Sequence, residues 1–120
     1  MSDNKLLTLS FEFSVAVVNL ADSIKTPKSS YMIDQFARAG TSIGANIHEA
    51  QYAHSKADFI SKLEIALKES NETGYWLELL HRTGYLSEDE FRSLDSACAG
   101  IRVMLISSIN TAKQNSDKEQ

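Results

Sequence analysis

Two long helical periodicities set back to back, from Gln35 to Leu80, constrain this chain more than any other feature. The stretch reads QFARAGTSIGANIHEA, then a short break, then KADFISKLEIALKESNETGYWLELL. In the first periodicity Met32, Phe36, Ala39, Ile43, Ile47 and Ala50 recur at the spacing that places side chains on one side of a helix. Arg38, Ser42, Asn46 and Glu49 form a second, polar row beside that stripe. Polar groups held next to a core need partners, because an unpaired buried one costs about 1–3 kcal/mol. The row therefore predicts an internal polar layer, with Glu69 and Glu72 of the following helix as partners. Removing one member of a buried charge pair would cost about 3–5 kcal/mol.

Punctuation and periodicity predict four helices. The first runs from about Asn4 to Lys25, with Leu6, Leu9, Phe13, Ala16, Leu20 and Ile24 on its core face. Thr26-Pro27 and Ser29-Ser30 end it and start the second, which runs from about Ser29 to Ala53. Ser55 and Asp58 suit the start of a third helix reaching about Thr83, a rod of roughly 42 Å at 1.5 Å per residue. Gly84 suits the left-handed residue that closes it. Ser87 with Glu90 reads as a capping box, and Leu86 with Phe91 as its hydrophobic staple. The fourth helix then runs to about Lys113, burying Phe91, Leu94, Cys98, Ile101, Leu105 and Ile109. Short loops between long helices make neighbours antiparallel, so the expected fold is all-α, an up-down-up-down four-helix bundle. Residues 1–113 form that single bundle, and 114–120 read as a flexible polar tail.

A monomeric bundle needs one apolar stripe per helix, and several helices here carry two. Leu7, Phe11, Val15 and Val18 lie nearly opposite the core stripe of the first helix. On the third, Ile65, Trp76 and Leu79 lie away from the face made by Phe59, Leu63, Leu67, Gly74 and Leu77. The fourth adds Ala99, Val103 and Ile106, and Ala37, Gly40 and Gly44 on the second would admit another backbone closely. A helix apolar on two faces is either central to a large protein or shared between subunits. With 120 residues the chain is one domain that buries roughly two thirds of its unfolded surface, leaving little to cover the extra faces. Homo-oligomerisation follows, with Leu7, Phe11, Val15, Val18, Trp76 and Leu79 expected at subunit contacts.

Composition narrows the chemistry. One cysteine, Cys98, cannot form an internal disulfide, and no signal-peptide pattern opens the chain, which points to the cytoplasm. The longest apolar run, Val15 to Leu20, is far short of a membrane span, and no membrane partner is expected. His48-Glu49 begins like a zinc-protease helix, but the second histidine of that motif is replaced by Tyr52. Glu78 and His81 supply the Glu-x-x-His spacing of di-metal bundles once, with no second copy. Ser42 and His48 share a helix but not a face, and no third group orients them. No catalytic residue, metal, cofactor or small-molecule substrate is therefore expected. Nucleic-acid binding is the rival, since phosphates demand clustered Lys and Arg. Lys56, Lys62, Lys68, Arg82, Arg92 and Arg102 are instead dispersed among acidic neighbours, and the net charge is −4. That acidity disfavours RNA or DNA as a partner.

The same residues carry a family resemblance over about Phe13 to Ile109. Arg38-Ala39, then Ser42-Ile43-x-x-Asn46-Ile47-x-Glu49, then Phe59 and the Ala66-x-x-Glu69-x-x-Glu72 ladder ending at Gly84-Tyr85-Leu86, resemble the proteins encoded by intervening sequences in bacterial 23S rRNA genes. Members are sometimes labelled ribosomal proteins. Ala50 stands where the family more often has Gly, and the third helix lacks extra basic residues. The resemblance implies an antiparallel four-helix bundle. It also implies kinship to accessory proteins of diversity-generating retroelements, pentameric barrels that bind nucleic acid and a reverse transcriptase through basic surfaces. This acidic chain lacks that charge, so the resemblance carries over as assembly, with a pentamer favoured and a dimer also open. The expected function is a non-enzymatic, homo-oligomeric assembly or adaptor module. The alternative is an RNA- or DNA-binding protein linked to rRNA or a mobile element.

Overall fold

A computed structural model describes residues 2–119, with side chains from residue 5 to residue 115. Four helices and no strand make up these described residues: α1 (Ser2–Ile24), α2 (Ser30–Ala50), α3 (Lys56–Arg82) and α4 (Glu88–Glu119). Consecutive helices pack side by side and α1 closes the square against α4, giving an elongated four-helix bundle of 53 × 22 × 20 Å.

The boundaries follow from local chemistry. Ser55 caps α3 by accepting from the Asp58 amide at 3.1 Å, while the Asp58 carboxylate reaches past it to the amide of His54 at 3.2 Å. Gly84 takes φ +86° after α3, a conformation that a side chain disfavours, and the Tyr85 amide then donates back to Leu80 O at 2.9 Å. Ser87 and Glu90 make both bonds of the capping box, at 2.8 and 3.1 Å. Phe91, expected to staple onto Leu86, stacks face to face on His81 with centroids 4.4 Å apart. The helical backbone of α4 continues past Lys113 to Glu119, since neither Gly nor Pro interrupts it there, and Ala112 is its last buried side chain among the described ones. α2 stops at Ala50, short of the expected Ala53, where the Gln51 and Tyr52 amides close three-residue turns.

All six expected core positions of α2 are buried, and so are Leu94, Cys98, Ile101, Leu105 and Ile109 of α4. The core face of α1 is turned from the expected one. Leu6, Ser10, Phe13, Val17 and Ala21 point inward, while Ala16 is exposed. The cause lies on α2: a Cβ at Gly40 would come within 2.9 Å of both Val17 methyls, and one at Gly44 within 3.1 Å of Ser10 O. The small residues of α2 thus seat α1 of the same chain.

Ser10, Ser70 and Thr73 are fully buried polar side chains that the apolar pattern did not reveal. Each hydroxyl donates to a carbonyl of its own preceding turn: Leu7 O at 3.1 Å, Leu67 O at 2.6 Å and Glu69 O at 2.7 Å. A hydroxyl satisfied this way can enter a core without a partner from another helix.

Candidate assembly surface

The polar row of α2 lies at the outer seam with α3 rather than inside the bundle. Arg38 bridges to Glu69 at 3.4 Å and to Glu72, and its side chain is 48% exposed. Its long aliphatic stem lets the guanidinium reach the surface from a position beside the core. Ser42 donates to Arg38 O at 2.6 Å and Asn46 to Ser42 O at 2.8 Å, so both are satisfied within α2. Glu49 is exposed and meets Lys62 at 3.9 Å. The row is a surface clasp joining α2 to α3, with Arg38, Glu69 and Glu72 brought together and Ser42, Asn46 and Glu49 left outside the cluster.

Four further cations face carboxylates: Lys25 with Asp34 at 2.7 Å, Arg82 with Glu78 at 2.8 Å, Arg92 with Glu88 at 2.7 Å and Lys113 with Glu64 at 3.3 Å. Charge is thus locally neutralised over much of the surface. Arg92, then His81, holds the Glu88 carboxyl below its ordinary value, the Arg92 hydrogen bond being the larger cause. At the α3/α4 seam Arg102 donates to Ser70 O at 3.1 Å, and the Cys98 thiol donates to the same oxygen at 3.4 Å. Burial pushes the Cys98 thiol up, against the opposing pull of Arg102. Among the described residues no group of three or more His, Cys, Asp and Glu side chains is placed to hold a metal ion.

The expected contact residues divide into two sets. On α1, Phe11 is 70% exposed, Val15 47% and Val18 43%, with Leu7 half-buried at the near end. These lie along the α1/α2 seam, where Leu7, Phe11, Thr41, Gly44, Ala45 and His48, with Glu49 at the edge, line a mostly apolar hollow of about 530 Å³. On α3, Trp76 and Leu79 pack partly against the core and are half-buried. The Trp76 indole N–H is buried without an acceptor. Tyr75, edge-on to Trp76 at 5.1 Å, takes the exposed position there.

A third apolar feature was not foreseen. Between α1 and α4 runs a groove of about 370 Å³ floored by Leu9, Phe13, Ala16, Ala97, Gly100 and Ile101. Small residues at i and i+3 on α4, Ala97 and Gly100, were the signal available for it. The outward apolarity of α1 has another consequence. Lys5–Ile24 is long and apolar enough to cross a membrane by length and composition, contrary to the expectation drawn from its longest uninterrupted run. The reason is that Ser and Thr, which interrupt its apolar residues, barely lower its hydropathy. In the bundle one side of this helix supplies Leu6, Phe13 and Val17 to the core.

A family model described as 23S rRNA-intervening sequence protein matches residues 2–107. Among solved structures, the chain is similar to a crystal structure of a protein with unknown function from the S23 ribosomal protein family of Bacteroides thetaiotaomicron VPI-5482. The two share 49% identity and a TM-score of 0.88 over 92% of this chain and 99% of that one. No curated protein matches.

Proposed function

The chain belongs to the 23S rRNA-intervening sequence protein family, and from that premise we propose that it is a non-enzymatic homo-oligomeric bundle serving as a cytoplasmic assembly or adaptor module. The observation that carries this reading is the outer face of α1, Phe11, Val15 and Val18, which stands in water on an isolated chain. Contiguous apolar side chains on a small protein mark an interaction surface. Each Å² of apolar area covered gains roughly 25 cal/mol, so an interface of ordinary size, ~1,600 Å² in total, would hold such a face. A pentamer is the favoured closed ring, with a dimer as the other symmetric solution. The buried, unpaired Cys98 suits a reducing compartment.

The rival is nucleic-acid binding. Phosphate contacts draw on free cations, whereas Lys25, Arg38, Lys62, Arg82, Arg92 and Lys113 each already face a carboxylate. Light scattering on the unmodified protein at micromolar concentration should give a multiple of the 13.3 kDa chain mass. Val15→Glu should give a single-chain mass with helix content retained. A monomer for the unmodified protein overturns the proposal. A titration against structured RNA near physiological salt should show no binding; saturable, salt-sensitive binding would favour the rival.

A further inference from the structure

Arg102 stands apart from the other arginines of the chain. Arg38, Arg82 and Arg92 each meet a carboxylate, whereas among the described residues none lies within ion-pair distance of Arg102. The half-buried Arg102 side chain is laid into the α3/α4 seam, where Gly74 clears the space: a Cβ there would come within 3.3 Å of Nη2. Nη2 donates to Ser70 O at 3.1 Å and touches the Cys98 sulfur at 3.7 Å, and Nε is buried without an acceptor. An arginine carries five N–H donors and a full charge, so Nη1 is left to solvent. A cation drawn partly out of water without a counter-charge is costly to keep. Asp95, the one acid on α4 between Arg92 and Lys113, is seven residues away, roughly 10 Å along the helix.

Around this guanidinium the outward side of the seam is apolar. Val103 is 67% exposed and Ile106 44%, with Ala99 half-buried one turn before them. Ala99, Val103, Ile106 and Asn110 recur at helical spacing, an uncharged strip of roughly 16 Å. Across the seam Lys68 stands exposed, two residues from the Ser70 carbonyl, and it too meets no carboxylate among the described residues. We propose that this α3/α4 face docks an acidic amphipathic helix of a partner protein, with carboxylates on Arg102 and Lys68 and apolar side chains on Val103 and Ile106. A carboxylate matches the guanidinium fork, and an amphipathic helix meets such a strip through anchors at i, i+3, i+4 and i+7. Nucleic acid fits less well, since a phosphate backbone calls for a row of cations and finds Arg102 and Lys68 alone beside apolar side chains. The inference rests on the adaptor part of the reading above and names the partner's chemistry. Self-association through α1 uses a different face and stands or falls separately.

The test uses a fluorescein-labelled peptide of about 18 residues, Leu and Glu in amphipathic register, and a control with Lys for Glu. By fluorescence anisotropy the acidic peptide should bind the unmodified protein saturably, and the basic control should not. Arg102→Gln keeps a donor for Ser70 O and removes the charge, while Val103→Glu sets a like charge on the strip. Each should weaken binding about tenfold or more. Val15→Glu, on α1, should leave it unchanged. Circular dichroism checks the fold, and if Arg102→Gln does not fold, the exposed Val103 carries the test. No binding of the acidic peptide, or binding indifferent to Val103→Glu, overturns the proposal. So does tight binding of a single-stranded RNA oligomer that Val103→Glu abolishes, which would assign the face to phosphate. A smaller light-scattering mass for Val103→Glu also overturns it, by giving the face to contacts between copies. The mass of the unmodified protein reports on self-association alone, so failure of the peptide leaves that part of the reading standing.

Discussion

Val17 of α1 sits directly on the bare Cα of Gly40 of α2, with both its methyls within 2.9 Å of where a Cβ would stand. A valine side chain is stiff and cannot swing aside, so Gly40→Ala must push the helices apart. Overpacking of this kind costs about 1–3 kcal/mol, against a helix-propensity gain of about 0.5–1 kcal/mol. Gly40→Ala should therefore lower stability by about 1 kcal/mol in urea denaturation. Gly100→Ala, which meets nothing within 4 Å, should raise it by about 0.5–1 kcal/mol. Both are best measured in the Val15→Glu background, where assembly does not contribute. Equal effects at the two glycines would refute the close approach of α1 and α2.

The Arg38 clasp makes a smaller claim on stability than an internal charge pair would. With Arg38 48% exposed and Glu72 38% exposed, water screens the attraction. Arg38→Ala should cost up to about 1 kcal/mol, and the cost should shrink as salt is raised. A loss of about 3–5 kcal/mol would mean that the cluster is buried after all.

Cys98 should be inert in the folded protein. Its thiol is fully buried, donates to Ser70 O and has its ionisation pushed up by burial, and the thiolate is the reactive form. A chromogenic disulfide reagent should label it at the global unfolding rate in buffer and at once in denaturant. Rapid labelling in buffer would contradict the packing of α4 against α3.

Glu88 gives the turn between α3 and α4 a mild acid sensitivity. Its carboxyl is held below the ordinary value of 4.5 chiefly by the Arg92 hydrogen bond. A depressed carboxylate contributes stability above its unfolded-state value and loses that contribution as pH falls through the folded one. The difference in denaturation midpoint between the unmodified protein and Glu88→Gln should therefore be present at pH 6 and vanish in strong acid. A difference that persists at pH 2 would assign the effect to something other than ionisation.

How much of this could be read from the chain depended on how one-sided each helix is. α2 has one apolar stripe against a polar back, and its core positions were unambiguous. α1 is apolar nearly all round, so periodicity left its orientation open. Gly40 and Gly44 on the neighbouring helix decide it, by admitting Val17 and Ser10. The ion pairing of Arg38 with Glu69 and Glu72 was legible from spacing, but its depth was not, because a long arginine can start beside the core and end in solvent. Ser70 and Thr73 escaped notice because a hydroxyl that bonds its own helix looks polar in sequence and behaves as apolar in a core. The α1/α4 groove belongs to two helices distant in sequence, and nothing short of their packing brings Ala16 and Gly100 to one hollow.

An even number of alternating helices returns the chain to the pole from which it set out. The start of α1 and the end of α4 share one end of the bundle, with the turn between α2 and α3, while the turns at Pro27 and Gly84 occupy the other. In the proposed assembly, if it is a closed ring with every copy facing the same way, the start of α1 and the end of α4 of every copy would stand on a single rim. A weak ligand carried at either end would then be presented in several copies at once, and multivalency of that kind converts a feeble contact into a durable one without any new interaction.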